Sequence, residues 1–378
     1  MSDTQKHTKP NVPDLRFPGF EGEWARCTLG EIGEPYIGLT YSPADVVNEG
    51  GTIVFRSSNI QNGEIDYSDI VRVNKKIKDS IITRKDDLLI CARNGSPRLI
   101  GKNALLKDAD AGQTFGAFML VFRSNDNHFV HQLLSTKGYY SQVSENLGAR
   151  INQITTSNIK DFEFYFPKSI AERNKIAVFL NLIDERISIQ NKVIEKYESL
   201  IKALAHEIIG KNAPNKTLSE CVCCTSSILK ESDLEEAGAV PVYGAAGISG
   251  FTDSVLYRGE DSILITKDGS GVGSLRYVRG PHSFVGTLNS MTPKEGIYLP
   301  YIYYALQDVC FESYRTGQAI PHIYFKDYGK EAIYCPSYEE QVRMAIGLEK
   351  IDAKIGLEKA ALQSYKSAKV YLLSAMLI

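Results

Sequence analysis

Three stretches of this 378-residue sequence have the outline of reactive or ligand-binding chemistry. Gly95-Ser-Pro-Arg-Leu-Ile-Gly101-Lys102-Asn103 looks like a phosphate loop. It has five residues between its glycines where the motif has four, and asparagine where a Mg²⁺-binding Ser or Thr is required. Its proline stiffens a backbone that would have to present successive N–H groups to an anion. Asp268-Gly-Ser-Gly-Val-Gly273 is glycine-rich, but no βαβ pattern follows it, so a dinucleotide cradle is not expected. Cys221-Val-Cys223-Cys224 offers one Cys-x-x-Cys pair, half of what a structural zinc site uses. Cys310 and Cys335 lie far from it in sequence with no histidine at ligand spacing, so small buried thiols are expected and no metal. The histidines form no HExxH-type cluster, and the spacing of His128 and His131 reads as one face of a surface helix. No Gly-x-Ser-x-Gly elbow or paired-carboxylate motif is present. These residues suit a chain that binds and positions rather than one that catalyses.

The elements that position them come in two copies. Gly148–Pro167 aligns without gaps on Gly317–Pro336, an offset of 169. With one residue deleted, Glu172, Ala177, Leu180, Ile183, Asp184, Ile187 and Tyr197 match Glu340, Ala345, Leu348, Ile351, Asp352, Ile355 and Tyr365. A fainter echo upstream sets Thr28-Leu29-Gly30-Glu31 against Thr217-Leu218-Ser219-Glu220. It also sets Leu89-Ile90 before Asn94-Gly95-Ser96 against Leu264-Ile265 before Asp268-Gly269-Ser270. A tandem duplication of roughly 170 residues accounts for the pattern.

Each copy ends in a long helix. Ile176, Leu180, Ile183, Ile187, Gln190, Ile194, Tyr197, Ile201, Leu204 and Ile208 alternate by four and three, the spacing of a coiled-coil seam. Met344, Leu348, Ile351, Ile355, Glu358, Leu362, Tyr365, Lys369, Leu372 and Met376 repeat it. Gly210 and Pro214 stop the first helix. Roughly 38 residues make a rod of about 57 Å. Both exceed ordinary helices and carry narrow seams, so the two are expected to pair with each other. In an antiparallel pair Lys369 should meet a carboxylate near the start of the first helix, and polar seam residues of this kind fix register.

The expected class is α+β: two small mixed α/β domains separated by two long helices that form an antiparallel coiled coil, a pseudo-twofold tandem repeat. The expected boundaries are an N-terminal tail 1–24, a first globular domain 25–167, a central long helix 168–212, a second globular domain 213–336 and a C-terminal long helix 337–378. Apolar residues make up 43% of the chain, which fits globular domains, and no apolar run reaches membrane-spanning length. The N-terminus lacks an apolar signal core, and seven cysteines without a disulfide-style ladder suit a reducing cytoplasm. The formal charge of −2 argues against a protein that holds nucleic acid by its own basic field alone.

This layout resembles the specificity subunit of type I restriction–modification enzymes over nearly the whole chain. Pro13–Phe20 followed by Trp24 and Thr28-Leu-Gly-Glu31 looks like that family's opening. Arg56-Ser-Ser-Asn59-Ile60-Gln-Asn-Gly63-Glu-Ile-Asp66 and Val240-Pro-Val-Tyr243-Gly244-Ala-Ala-Gly247-Ile-Ser-Gly250-Phe251 are similar to motifs of two different classes of its target-recognition domains. The resemblance implies that each globular domain recognises one half of a split DNA target while the paired helices set the spacer. It implies two modification subunits docked along the helices, with restriction subunits as further partners. Methylation with S-adenosylmethionine, and translocation with ATP and Mg, would then belong to those partners, and this chain would be non-catalytic and carry no cofactor. The two recognition domains differ strongly in sequence, so an asymmetric, bipartite double-stranded DNA target is expected.

Base readout favours Arg, Lys, Asn, Gln and hydroxyl side chains on loops able to enter a groove. The candidates are Arg93, Asn94, Ser96, Arg98, Lys102, Asn152 and Gln153 in the first domain. In the second they are Lys267, Asp268, Ser270, Arg276, Arg315, Gln318 and His322. The seam residues, Ile183 among them, are the candidate coiled-coil and subunit interface, with a second role as a docking surface for the modification subunits. The rival reading is a coiled-coil scaffold whose globular domains bind protein or carbohydrate. On the DNA reading, near-neutral charge means that the chain alone binds DNA weakly and with a modest salt slope, much of the phosphate attraction coming from partner subunits.

Overall fold

The computed structural model describes residues 11–147, 152–253, 261–317 and 320–378. Two compact units divide it: residues 1–190 with 361–378, and residues 191–360. The boundary runs through both long helices.

In the first unit, strand Ala25–Thr28 pairs antiparallel with Glu163–Phe166. The Thr28 amide then donates to Glu31 Oε2 at 2.6 Å, capping the short helix Leu29–Ile32. The main sheet has four antiparallel strands in the order Glu34–Ile37, Met119–Arg123, Leu88–Cys91, Asn103–Leu105. Leu88–Cys91 is apolar without alternation because all four of its residues are buried. A smaller sheet sets Thr52–Phe55 parallel to Thr114–Phe115 and antiparallel to Val71–Val73.

The second unit repeats these parts in order. Lys216–Thr217 pairs with Ala332–Ile333, and the Thr217 amide donates to Glu220 Oε2 at 2.6 Å. The faint Thr-Leu-x-Glu echo is therefore one capping device used twice. The main sheet runs Val222–Ser226, Leu288–Pro293, Ser262–Thr266, Leu275–Val278. In the smaller one Val240–Gly244 lies parallel to Ser283–Phe284 and antiparallel to Gly247–Thr252.

The long helices span Ile170–Ala205, continuing as a wider turn through His206–Gly210, and Tyr338–Met376. Within the first unit Lys369 forms an ion pair with Asp184, and the Arg186 guanidinium lies 5.4 Å from the centre of the Tyr365 ring. Rising numbers on one helix thus meet falling numbers on the other, so the pair is antiparallel. The sequence left open which carboxylate would meet Lys369; it is Asp184, which also accepts from Gln132 Nε2 at 2.9 Å. Ile176, Leu180, Leu373 and Met376 join the core of this unit, around Leu88, Leu120, Phe122 and Phe129. In the second unit Glu198 meets Lys359 at 2.6 Å, and the seam residues Ile194, Ile201, Leu348 and Ile355 are buried.

The stretch expected as an N-terminal tail is docked where it is described. Trp24 is buried, the Leu15 amide donates to Ala375 O at 2.8 Å, and Arg16 pairs with Glu172 at 2.7 Å. Phe17 packs edge-on against Phe179 as well, and these scattered anchors follow no helical or strand period that the sequence would show.

Candidate nucleic-acid interface

The loops that leave the central strands Leu88–Cys91 and Ser262–Thr266 are built on the same hydrogen bonds. The amides of Ala92 and Arg93 both donate to Phe118 O, at 3.0 and 2.9 Å. Those of Lys267 and Asp268 both donate to Thr287 O, at 2.9 and 3.4 Å. The Ile154 amide donates to Ala92 O and the Ile323 amide to Lys267 O, each at 2.9 Å. Arg93 therefore occupies the place of Asp268, and Asn94 that of Gly269. The sequence echo had set Asn94 against Asp268. The backbone ladder shifts this by one residue, because the offset of Leu89-Ile90 from Leu264-Ile265 continues into the loop.

In the first domain Arg93, Asn94 and Asn152 converge on a cleft of about 1050 Å³ beside Tyr41, Arg56 and Phe118. The Arg93 guanidinium lies 4.9 Å from the centre of the Phe118 ring, and Phe118 is 58% exposed. Asn94 Nδ2 donates to Ser57 Oγ at 3.0 Å, its Oδ1 accepts the Ser96 amide at 3.0 Å, and Asn152 Nδ2 donates to Gly95 O at 3.2 Å. Gln153 bridges Arg93 through the backbone. Arg56 and Arg93 are the charged residues of the lining, which contains no carboxylate. Arg56 is tied to Asp69 at 2.8 Å, whereas the Arg93 side chain makes no hydrogen bond or ion pair among the described residues. Arg98 and Ser96 are exposed on the turn beyond. Lys102 does not join them: its side chain lines a separate cleft of about 680 Å³ with His128, His131 and Asp184. Beyond the turn Pro97–Leu99 the chain returns beside Leu88–Cys91, where Lys102 O accepts the Cys91 amide at 2.8 Å.

In the second domain Asp268 stands between Lys267 Nζ at 2.9 Å and His322 Nδ1 at 2.7 Å. Burial pushes its carboxyl up, but the hydrogen bonds with His322 and Lys267 outweigh it and hold the group below the ordinary aspartate value. The His322 ring stacks on Tyr324, which Lys326 faces in turn. Arg276 lies 5.7 Å from the centre of the Tyr243 ring, Arg315 pairs with Glu312 one turn back, and Ser270 is exposed. Gln318 lies outside the described residues. Phe118, Tyr41, Ser57 and Tyr324 were not foreseen. Phe118 heads an apolar run that reads as a strand, and only its exposure distinguishes it.

The expectation of buried thiols holds for Cys221 and Cys335 but not for Cys223 and Cys310, which are exposed, and Cys224 is half-buried. Strand alternation turns Cys223 outward. Cys335 does not stand alone: burial, then the neighbouring Cys335, push the Cys221 thiol up to about 12. No group of three His, Cys, Asp or Glu able to hold a metal occurs among the described residues. None of their helices is long and apolar enough to cross a membrane. His128 and His131 share a helical face as expected. His131 is half-buried against Asn103 Oδ1 at 3.0 Å, while His128 stays exposed, as a surface helix implies, and bonds Asn181 at 3.0 Å.

Known proteins resemble this chain in sequence and fold. A family model described as type I restriction modification DNA specificity domain matches residues 21–199 and 218–365. The chain is similar to the EcoKI type I restriction enzyme specificity subunit of Escherichia coli, 27% identical over 205 residues, or 52% of this chain and 44% of that one. It is similar to a putative type I specificity subunit of Mycoplasma genitalium, 31% identical over 179 residues, or 42% of this chain and 46% of that one. The matched stretch is thus about half the length of each curated relative. Among solved structures, the S subunit of a type I restriction–modification system from M. genitalium superposes with a TM-score of 0.65 at 22% identity, covering 97% of this chain and 99% of that one. At that identity the likeness is one of fold.

Proposed function

Because the chain belongs to the type I restriction–modification DNA specificity family, we propose that it reads a bipartite, asymmetric double-stranded DNA target. One half-site falls to the domain of residues 25–167 and the other to that of residues 213–336. The observation that carries this reading is one scaffold built twice with different side chains at matching places: Arg93 and Gln153 in one copy, Asp268 and His322 in the other. Identical chemistry in both copies would suit a palindrome; unlike chemistry suits two dissimilar halves.

The long helices set the spacer and dock two modification subunits. Their seam residues are spent on internal packing, which leaves exposed positions such as Val178, Leu182 and Ile189 to face partners. Methylation from S-adenosylmethionine, and any ATP- and Mg-driven restriction, belong to those partners, and this chain supplies discrimination without catalysis. With a net charge of −2 it supplies little of the phosphate attraction. Co-expression with modification subunits followed by adenine-methylation sequencing tests the reading. The expected motif is split and non-palindromic. A palindromic motif would overturn the two-domain assignment, and no motif at all would favour a scaffold.

A further inference from the structure

The matching loop positions carry opposite hydrogen-bonding chemistry. Resting on the reading above, we propose that this position sets base preference by polarity. Arg93 donates to a guanine edge in one half-site, and Asp268 accepts from the exocyclic amine of cytosine in the other.

Arg93 is prepared for this role in three ways. Its backbone is fixed by the hydrogen bond that its amide donates to Phe118 O and by the bridge to Gln153. Its guanidinium carbon lies 4.9 Å from the centre of the Phe118 ring, a cation–π contact that restrains the fork without consuming its N–H donors. The cleft around it offers no carboxylate to consume those donors. Guanine presents O6 and N7 side by side in the major groove, the acceptor pair that a guanidinium fork matches. Adenine places an amine at one of those points and would leave a donor facing a donor.

Asp268 is prepared in the opposite sense. Lys267 and His322 each engage one of its oxygens, at 2.9 and 2.7 Å, and pin the carboxylate. Each oxygen keeps a second lone pair, and the side chain is 27% exposed. A fixed carboxylate can only accept. Cytosine N4 has an acceptor, guanine O6, on one side only and the C5–H on the other. Adenine N6 lies between two acceptors, N7 and thymine O4, and the N7 lone pair would repel the carboxylate.

The test uses the full chain assembled with its modification subunits, methylation sequencing, and competition binding to duplexes altered one base pair at a time. Arg93→Lys keeps the charge and removes the fork. It should lower the preference for one G·C pair in one half-site by roughly 5- to 150-fold and leave the other half-site unchanged. Asp268→Asn should do the same in the other half-site. Replacing guanine by 7-deazaguanine, which lacks N7, should weaken wild-type binding in the half-site that Arg93→Lys alters. It should have little effect at the pair that Asp268 reads through cytosine. Uniform weakening on all duplexes would make Arg93 a phosphate contact and overturn the proposal. Unchanged preferences in either variant, or 7-deazaguanine sensitivity at the Asp268 pair, would overturn it equally. The bipartite reading survives those results as long as the wild-type motif is split, and fails separately if it is not.

Discussion

Replacing Lys369 by isoleucine tests how the helix pair of the first unit is held in register. Lys369 and Asp184 are 15% and 32% exposed, so the pair lies between a surface ion pair, worth about 0–1 kcal/mol, and a buried one, whose rupture costs about 3–5 kcal/mol. Gln132 continues to donate to Asp184 after the substitution, which limits the desolvation left behind. The expected loss is therefore about 1–2 kcal/mol. In a unit of about 200 residues, that lowers the melting temperature by roughly 2–8 °C. The other copy shows the alternative arrangement. Ile201 stands at the step matching Lys369 and is buried. A double-mutant cycle of Lys369→Ile with Asp184→Asn, followed by calorimetry on the full chain, isolates the pair. A coupling of about 1 kcal/mol is expected. Tyr365→Phe, which removes only exposed hydrogen bonds from Arg186, should cost less than about 0.5 kcal/mol. If Lys369→Ile melts within about 1 °C of wild type and the coupling vanishes, the ion pair does not hold the register.

Leu180→Ala, at a fully buried seam position, should cost about 2–5 kcal/mol in urea unfolding. Leu182→Asp, on the exposed face, should leave the unfolding midpoint within about 0.5 kcal/mol of wild type and reduce co-purification of the modification subunits. Burial pushes the His131 imidazole down to about 4, with Lys369 and His128 lowering it further and Asp184 opposing. A depressed histidine contributes stability that is present above its unfolded value and lost as pH falls. Stability should therefore drop by on the order of 1–3 kcal/mol from about pH 6.5 to 4, and His131→Gln should flatten that slope. Ile183→Asp places a charge in the seam beside the core and should abolish assembly before half-site preference changes; normal methylation by that variant would refute paired helices.

The duplication, the two long helices and their seams were legible because each is a local or periodic property. A 3.5-residue apolar period and a gapless offset need no knowledge of where the chain goes. The candidate readers were only partly legible. Arg93, Asn94 and Asn152 do meet at one cleft, since each follows a strand or turn signal. Lys102 follows equally strong signals but lines a separate cleft, because beyond the tight turn at Pro97–Leu99 the chain returns antiparallel beside Leu88–Cys91.

By itself the sequence determined the repeat, the α+β class and the pairing of the rods, all of which follow from spacing and periodicity. Only the tertiary structure decided which carboxylate receives Lys369, since that depends on the stagger of two helices separated by well over a hundred residues. Only the hydrogen-bond ladder to Phe118 and Thr287 decided that Arg93, not Asn94, matches Asp268. Side-chain similarity had aligned the two loops by their Asx-Gly-Ser appearance. The backbone aligned them by which amide reaches which carbonyl, and position in space, not residue type, determines what a groove will meet.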